Sequence, residues 1–508
     1  MRLGDLLIRA NLVTEKDVAT ALEQVKAHGG VLGDSLVATG AIDKAVLDGF
    51  LHRIPREPKD IAGTGIEETE LLGLMMKVIY SFGLNTLAQY ADAIKLPLTI
   101  MIDLTHLAIE RQLLYTLGSR NSEGPMGMVY ALTDEGRRWT QEAIKRSGYI
   151  GPAPVPLEDF IYRVSLQKPT NERVTADRIL KALSELTLAS SVVEQTGPAL
   201  NSGRAILLYG PPGNGKTSVA LSFANVFQEM IYVPYAIMVE GQIIRFHDPS
   251  VHIPTDPMVE REDDGESFIR RETHDMRWVQ CRRPFVITGG ELTLEMLELR
   301  FDTEGRFYEA PLHMKALGGC FLIDDFGRQL VSPTNLLNRW IVPLESRVDY
   351  LKLNTGKTIC IPFEELVIFS TNLEPEDLMD PAFLRRLPYK IEVGPPDLEQ
   401  YRCIFERECA RKGLTLRDDV FYFILYMVRD EMGLELAAYH PRFIVDQVVA
   451  TCRFLGLQPE LKSPYIDYAI NNLGVRRKRK PEADPDPPVE HPKKQPGLNL
   501  PSGVFGES

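Results

Sequence analysis

Several features that would assign a protein to a class are missing from this 508-residue chain. It has six cysteines but no Cys-x-x-Cys pair, so the sequence indicates neither a zinc site nor a framework of disulfide bonds. No apolar run reaches the roughly 18 residues that a membrane-spanning helix needs. The first residues, Met1 to Asp5, lack the apolar core of a signal peptide. We therefore expect a cytoplasmic protein.

The chain also lacks an excess of positive charge. The chain has 57 lysine and arginine residues against 70 aspartate and glutamate residues, which gives a formal net charge of -13. A polyanion is repelled on average by such a protein, so extensive binding to nucleic acid or to an anionic membrane is not expected. Only a local basic patch could reverse this expectation.

The strongest signal that is present is a glycine-rich stretch after the apolar run Ala205–Tyr209 and before a predicted helix. Its residues are Gly210, Pro211, Pro212, Gly213, Asn214, Gly215, Lys216, Thr217 and Ser218. This order is that of a P-loop, whose glycines let consecutive backbone N–H groups turn toward a triphosphate. Lys216 is predicted to reach the outer phosphates, and the Thr217 hydroxyl to bind Mg²⁺. The helix adds the positive end of its dipole, so the stretch predicts a site for ATP and Mg²⁺.

Two later apolar strands also end in polar residues. The run Cys320–Ile323 is followed by Asp324, which is placed to hold Mg²⁺ through water, and by Asp325, which is placed to orient or polarise an attacking water. The run Leu366–Phe369 leads to Asn372. Both segments are consistent with buried strands of one nucleotide-binding core.

Taken in order, these three elements resemble those of the AAA+ ATPases. In that family the strand that leads to Asn372 lies between the P-loop strand and the strand with the paired acids. Asn372 would then hydrogen-bond the γ-phosphate or the attacking water. Most relatives have glutamate where this chain has Asp325, which is one methylene shorter, so slow hydrolysis is an open alternative.

Two more segments resemble parts of the same family. The segment Asp380–Leu387 is similar to the one that carries arginine fingers, so Arg385 or Arg386 would stabilise phosphoryl charge in a neighbouring subunit. Such a residue implies a ring, and we expect a hexamer of identical subunits. Arg442 would be the sensor 2 arginine of a helical lid, reaching the bound phosphates.

The first 54 residues contain an internal repeat. The segments Leu3–Ile8 and Leu32–Val37 share Leu-Gly-Asp, and each is followed by an apolar pair and a helical pattern. This arrangement resembles the N-terminal domain of type II secretion and type IV pilus assembly ATPases, which docks onto partner proteins and in some members binds cyclic di-GMP. Val31 and Asn11 replace an arginine and a glycine of that pattern, so plain docking is favoured, with cyclic di-GMP as the alternative ligand.

Residues 67–150 read as three helices, a strand, a turn, a strand and a helix, an order that resembles a winged helix. A DNA-reading version would expose Arg, Lys, Asn or Gln on the third helix, predicted from Leu98 to Arg111. That helix instead carries Thr99, Asp103, Thr105, His106 and Glu110. Protein docking is therefore favoured, and DNA binding remains the alternative.

The resulting prediction is a multidomain α/β protein: a AAA+ parallel-sheet core with a C-terminal helical lid, preceded by a small helical domain and a winged-helix-like domain. The predicted divisions are 1–54 (docking domain), 67–150 (winged-helix-like), 151–169 (proline-rich linker), 170–395 (core), 396–474 (lid) and 475–508 (disordered tail). Within the long interval before Asp324, Phe307 and Tyr308 are candidates for an exposed, client-gripping loop.

The function that these resemblances imply is remodelling or assembly of a protein client by an ATP-hydrolysing ring, in a secretion or pilus system. Two alternatives remain open. One is a DNA-directed regulator or loader that uses the winged helix. The other is a nucleotide-gated scaffold that hydrolyses little ATP.

Overall fold

The computed structural model describes residues 53–119, 128–255, 274–378 and 381–473, together with 4, 7–8, 12–28, 31–44, 46–47 and 49. By its internal contacts the chain divides into two units, residues 1–413 with 435–442, and residues 414–434 with 443–508. The predicted tail of residues 475–508, Asp380 and most of the first Leu-Gly-Asp segment lie outside the described residues.

The described N-terminal residues form helices α1 (Glu15–His28) and α2 (Leu32–Ala38), which contact each other. Val18 and Ala21 of α1 and Leu36 of α2 are buried in a small apolar cluster. Such a cluster is typical of a small helical bundle, because the apolar residues recur on one face of each helix.

Residues 67–150 fold in the predicted order of elements: α3 (Glu68–Phe82), α4 (Leu87–Ile94), α5 (Leu98–Glu110), β1 (Leu114–Ser119), β2 (Met128–Leu132) and α6 (Asp134–Arg146). The two strands pair antiparallel. Thr105 is a correction to the predicted surface of α5: it is buried against α3, with its hydroxyl on the sulfur of Met75. The polar residues exposed on the same helix include Asp103 and Glu110, so its surface is acidic.

The elements from residue 151 to residue 395 build a larger α/β region. They are β3 (Val155–Pro156), α7 (Leu157–Leu166), α8 (Ala176–Leu183), α9 (Ser190–Ser202), β4 (Ile206–Tyr209), α10 (Lys216–Phe223), β5 (Met230–Pro234), β6 (Ala236–Val239), β7 (Gln242–Arg245), β8 (Trp278–Arg282), β9 (Phe285–Thr288), β10 (Arg300–Asp302), β11 (Phe307–Glu309), α11 (Leu312–Lys315), β12 (Cys320–Ile323), α12 (Pro333–Arg339), α13 (Ile341–Ser346), β13 (Val348–Lys352), β14 (Thr358–Pro362), β15 (Leu366–Ser370), α14 (Pro375–Leu378), α15 (Pro381–Leu384) and β16 (Tyr389–Glu392).

The main sheet is five-stranded and parallel, in the order β16-β4-β15-β12-β9. Alternate side chains along its strands enter two different apolar clusters: Leu207 and Phe321 face the cluster that contains Trp340, whereas Leu208 and Leu322 face the cluster that contains Phe223. Both faces are therefore buried, which explains why these strands are continuous apolar runs in the sequence. All carboxyl ends of the strands meet at one edge.

A second, mixed sheet has the order β10-β11-β7-β6-β3. Its strands β6, β7, β10 and β11 come from the long interval between Thr217 and Asp324. The prediction of an exposed aromatic loop at Phe307 and Tyr308 is wrong. Tyr308 is 1% exposed, and its hydroxyl oxygen accepts the Asn354 N–H at 2.8 Å. Phe307 is half-buried and packs edge-on against Tyr149.

The same sheet corrects the prediction that residues 151–169 are a linker. Ala153 and Val155 are fully buried, β3 pairs with β6, and α7 follows at once. Proline lacks an N–H, so it is tolerated in a strand only where one side needs no partner, and β3 is the edge strand of its sheet. A segment whose composition is typical of a spacer thus contributes a strand to a sheet.

The buried guanidinium of Arg277 holds both chain ends of the winged-helix-like region. Its Nη1 donates to the carbonyl oxygens of Thr64 and Pro154, at 2.8 and 3.2 Å. Asp275 balances its charge, with a carboxylate oxygen 2.8 Å from Nη2. Buried ion pairs of this kind are costly to break, because one partner would be left uncompensated.

The C-terminal part is helical. Helix α16 (Leu398–Arg411), capped by Asp397, belongs to the first unit, whereas α17 (Asp418–Tyr426), a π-helical turn (Met427–Glu431), most of α18 (Tyr439–Phe454) and α19 (Ser463–Leu473) belong to the second. The predicted lid, 396–474, is thus shared between the two units. In the described ranges no single helix is long and apolar enough to cross a membrane; α3 and α4 pass that test only as a pair bent by 108°.

A pH effect on stability follows from His252, which is fully buried, with its ring stacked on that of Phe246. Its Nδ1 accepts the Asp248 N–H at 2.9 Å, and its Nε2 lies 2.9 Å from the Lys315 carbonyl oxygen, so the neutral ring satisfies both contacts. Burial lowers the pKa of His252 to about 4. The native state therefore binds fewer protons than the unfolded chain, and stability falls as the pH drops from about 6.5 toward 4, by up to about 3 kcal/mol.

The variant His252→Asn removes this titration while keeping an acceptor near the Asp248 N–H. We expect the difference in unfolding free energy between wild type and variant to shrink as the pH falls through that window, as measured by urea denaturation. His106→Asn, on the exposed face of α5, is the matched control. A difference that stays constant with pH would contradict the prediction.

Candidate nucleotide-binding site

The P-loop connects the end of β4 to the first turn of α10. Gly210, Gly213 and Gly215 have φ angles of 128°, 82° and 89°, in the region that side chains disfavour. A Cβ at Gly210 would also lie 2.7 Å from the carbonyl oxygen of Val393 on the neighbouring chain segment. The backbone thus turns sharply between β4 and α10, and the free backbone N–H groups at the N-terminus of α10 lie at this turn.

The predicted phosphate and metal ligands meet in this turn. Lys216 Nζ donates to the carbonyl oxygens of Gly210 and Pro211 at 2.8 and 2.9 Å. Burial lowers the pKa of Lys216, and the nearby carboxylates of Asp324 and Asp325 oppose that shift. The ammonium group is therefore held over the loop by contacts that phosphate oxygens could replace.

Thr217 and Asp324 come together from elements far apart in the sequence. The Thr217 hydroxyl donates to Asp324 Oδ2 at 2.8 Å. A hydroxyl beside a carboxylate is a set of hard oxygen ligands, which suits Mg²⁺. The Nδ2 of Asn214, a residue only 4% exposed, has no hydrogen-bond partner among the described residues. The loop therefore keeps a buried donor for a polar ligand, and these residues fit ATP with Mg²⁺.

Asp325 and Asn372 also meet, because β12 and β15 are adjacent strands. Asn372 Nδ2 donates to Asp325 Oδ1 at 3.1 Å. Asp325 has a φ of 48° and is exposed, so its carboxylate stands at the surface of the site in an uncommon backbone conformation. The predicted strand order is observed: β15 lies between β4 and β12.

Gln329 supports this turn and was missed in the sequence. Its Nε2 donates to the Asp324 carbonyl oxygen, and its Oε1 accepts the Gly327 N–H, both at 2.8 Å. Both hydrogen bonds join residues close in sequence, so the one feature from which the role of Gln329 could have been predicted is a polar residue five positions after Asp324. Gln329 fixes the backbone that carries both acids.

A cavity of about 240 Å³ adjoins the P-loop. It is bounded by the segment before and into α9, by the chain between β16 and α16, by Asn214 and by Ala438. The lining residues are Thr187, Leu188, Ala189, Ser191, Val192, Gln195, Asn214, Glu392, Val393, Gly394, Pro395, Pro396, Gln400 and Ala438. The cavity is about the size of a small ligand group and shares Asn214 with the phosphate loop, so a nucleotide base could occupy it.

The first turn of α18 packs on the tip of the P-loop. The Tyr439 N–H donates to the Gly213 carbonyl oxygen at 3.0 Å, and the Ala438 N–H donates to Asn214 Oδ1 at 3.1 Å. A Cβ at Gly213 would lie 2.3 Å from the Tyr439 ring. Arg442 is exposed on the same first turn. No pattern in the sequence predicts the contact of Tyr439 with Gly213.

Arg385 and Arg386 do not meet the P-loop. They follow α15 and line a separate cleft of about 530 Å³ with Arg204. Arg386 Nε lies 2.5 Å from Glu345, and its guanidinium lies 5.4 Å from the centre of the Phe383 ring. Arg385 is exposed, and among the described residues its side chain donates only to the Pro381 carbonyl oxygen, at 3.4 Å. Arg385 is thus the more available of the two candidates.

Comparison with known proteins adds little to this geometry. Residues 397–472 match the family model described as Domain of unknown function (DUF8689). No curated protein matches the chain. Similar solved structures include NtrX from Brucella abortus, 13% identical with a TM-score of 0.33, over 67% of this chain and 61% of NtrX. This chain therefore covers less than two thirds of NtrX.

Two Thermotoga maritima proteins are also among the similar structures. The RuvB Holliday junction branch migration motor is 12% identical with a TM-score of 0.31, over 56% of this chain and 70% of RuvB. Domain III of the replication initiation protein DnaA is 12% identical with a TM-score of 0.33, over 57% of this chain and 95% of that domain. TM-scores at this level do not establish a common fold, so the strand order and the contacts of the P-loop carry the interpretation.

Proposed function

We propose that this chain is a AAA+ ATPase that binds ATP with Mg²⁺ and hydrolyses it. The observation that carries the proposal is the meeting of the P-loop, the Thr217–Asp324 pair and the Asp325–Asn372 pair at the carboxyl ends of three adjacent parallel strands. Ligands of open α/β sheets bind at this edge. A P-loop alone would support phosphate binding only, whereas the paired acid and amide add the groups that hydrolysis needs.

The roles of the residues follow from their positions. Bound Mg²⁺ would supply positive charge to the phosphates, with Thr217 and Asp324 as its protein-side holders. Lys216 would exchange the carbonyls of Gly210 and Pro211 for phosphate oxygens. The helix N-terminus, which includes Ser218, would donate backbone N–H groups to the same oxygens.

Asp325 would accept a proton from the attacking water at a carboxylate oxygen. In the structure that carboxylate is bonded to the Asn372 amide, so the amide would have to share its donor with the water or the γ-phosphate. Arg442, on the helix turn that packs on Gly213, would bring a further positive charge toward the phosphates. The cavity beside Asn214 would hold the base.

The Asp325→Asn variant tests this assignment. It keeps the size of the side chain and one oxygen that can accept from the Asn372 amide, but it removes the proton acceptor, so we expect ATP turnover to fall about 100-fold while ATP still binds. Phosphate release measures turnover, and calorimetric titration measures binding. Asp177→Asn, an exposed carboxylate on α8, is the matched control.

Unchanged turnover in Asp325→Asn would contradict the assignment of Asp325. Binding of ATP by the wild type with no turnover above background would reject the ATPase and favour the second candidate, a nucleotide-gated scaffold. The observation behind that candidate is the short Asp325 side chain, already bonded to Asn372.

We further propose a ring of identical subunits, with a hexamer as the expected size, that acts on a protein client. The two N-terminal regions would recruit that client, and a secretion or pilus system follows from the resemblance of residues 1–54. Support for a protein rather than a DNA target comes from α5. Its exposed face carries Asp103 and Glu110, and Arg111 at its end is paired with Glu68 at 3.2 Å. Such a surface repels phosphates.

A further inference from the structure

The cleft that Arg385 lines also contains Arg204, Arg386 and the carboxylate of Glu345. Among the described residues, neither Arg204 nor Arg385 forms an ion pair, whereas Arg386 is paired with Glu345. Both side chains are exposed. Guanidinium groups bind phosphates through paired, charge-assisted hydrogen bonds, so two of them lining one cleft form a surface suited to a phosphate-bearing ligand.

Arg204 cannot serve the P-loop of its own chain. It lies two residues before β4, whereas Gly210 follows the end of that strand. Six residues of extended backbone at about 3.3 Å each separate their Cα atoms by roughly 20 Å, which is longer than an arginine side chain. Arg385 precedes β16, the strand next to β4 and parallel to it. Both arginines therefore lie toward the amino ends of the strands, and the P-loop lies at the carboxyl ends.

The P-loop site itself is open to a second molecule. Gly213, Ser218 and Asp325 are exposed, so phosphates held there would remain accessible from outside the chain. The cleft with Arg204 and Arg385 and the open phosphate site lie at opposite ends of one sheet, and the charge of the two arginines is complementary to that of bound phosphates. Contact between them in successive copies is head-to-tail, which closes into a ring when the rotation permits.

We propose that Arg204 acts beside Arg385 as a second trans-acting arginine, which contacts the phosphates of ATP bound to the P-loop of a neighbouring copy of this chain. This inference rests on the proposed ATPase function. Arg204 precedes the P-loop strand and belongs to no motif, so the sequence alone does not single it out. The connection between Arg204 and Arg385 is the cleft that both residues line.

The test is complementation between two defective variants. Arg204→Ala alone is expected to lower ATP turnover about tenfold with ATP binding retained. Asp325→Asn, which keeps Arg204, supplies the missing arginine when the two variants are mixed. Turnover of the mixture should exceed the sum of the separate variants severalfold, because Arg204→Ala subunits then meet intact arginines on their neighbours.

Two controls make the result specific. The double variant Arg204→Ala with Asp325→Asn, mixed with Arg204→Ala, should give no such gain. Arg173→Ala, an exposed arginine outside the cleft, should turn over ATP as the wild type does. Circular dichroism and ATP binding verify that Arg204→Ala folds, and Arg204→Lys should recover part of the turnover by restoring the charge.

Full turnover in Arg204→Ala, or a mixture that is merely additive, would overturn the inference. If the wild type hydrolyses ATP and Asp325→Asn does not, either of these results leaves the proposed function intact. Absence of turnover in the wild type would instead reject the proposed function itself.

Discussion

The Lys216→Ala variant is expected to lose ATP turnover by on the order of 1000-fold, because the ammonium group is the only side-chain cation that the described structure places on the P-loop turn itself. Its Nζ is already positioned by the carbonyl oxygens of Gly210 and Pro211. Removing it takes one positive charge away from the phosphates both in the bound state and during transfer, so ATP affinity should fall as well. Phosphate release and calorimetric titration measure the two effects separately.

Lys181→Ala, an exposed lysine on α8, is the matched control for lost charge and should retain wild-type turnover. Circular dichroism and a thermal melt establish that Lys216→Ala remains folded. Turnover within a few-fold of wild type in a folded Lys216→Ala protein would show that the loop does not position the transferred phosphate.

The Arg385→Ala variant is expected to lower ATP turnover about 1000-fold with little change in ATP affinity. The reason is its location: Arg385 lines a cleft away from the P-loop of its own chain, so it can meet the phosphates only where two copies touch. Turnover should also depend on protein concentration in the wild type, since dilution separates the copies. Light scattering at each concentration reports the assembly.

Arg386→Ala separates the two candidates in that segment. Its guanidinium is paired with Glu345 and lies over Phe383, so its loss should cost at most about 1 kcal/mol of stability and affect turnover less than the loss of Arg385. A larger effect of Arg386→Ala on turnover would reverse the assignment. If Arg385→Ala and the wild type have equal turnover, Arg385 is not the trans-acting arginine.

The site residues that can be predicted from the sequence are those whose chemistry is local in the chain. A glycine-rich turn between a strand and a helix, and acids at the end of an apolar run, follow from a few consecutive residues. The parallel order of the strands then brings Thr217 to Asp324 and Asn372 to Asp325.

The features that sequence reasoning missed are built from distant segments. The cavity beside Asn214 combines the start of α9 with the chain after β16, and Arg204 joins Arg385 only through the pairing of β4 with β16. The linker error has a different cause. Alternate prolines around Ala153 and Val155 suggest a spacer by composition, yet Ala153, Pro154 and Val155 are all buried and the segment leads into an edge strand, where proline is tolerated.

Arg277 brings together the two chain ends of the winged-helix-like region by binding Thr64 and Pro154, and the core of this region also includes Ala236 and Ile243 of the second sheet. The two carbonyl oxygens share one guanidinium nitrogen, so the polypeptide leaves the main body and returns to it at nearly the same point. Loss of the Arg277 side chain would therefore release both connections of this region at once and leave the Asp275 carboxylate buried without its partner.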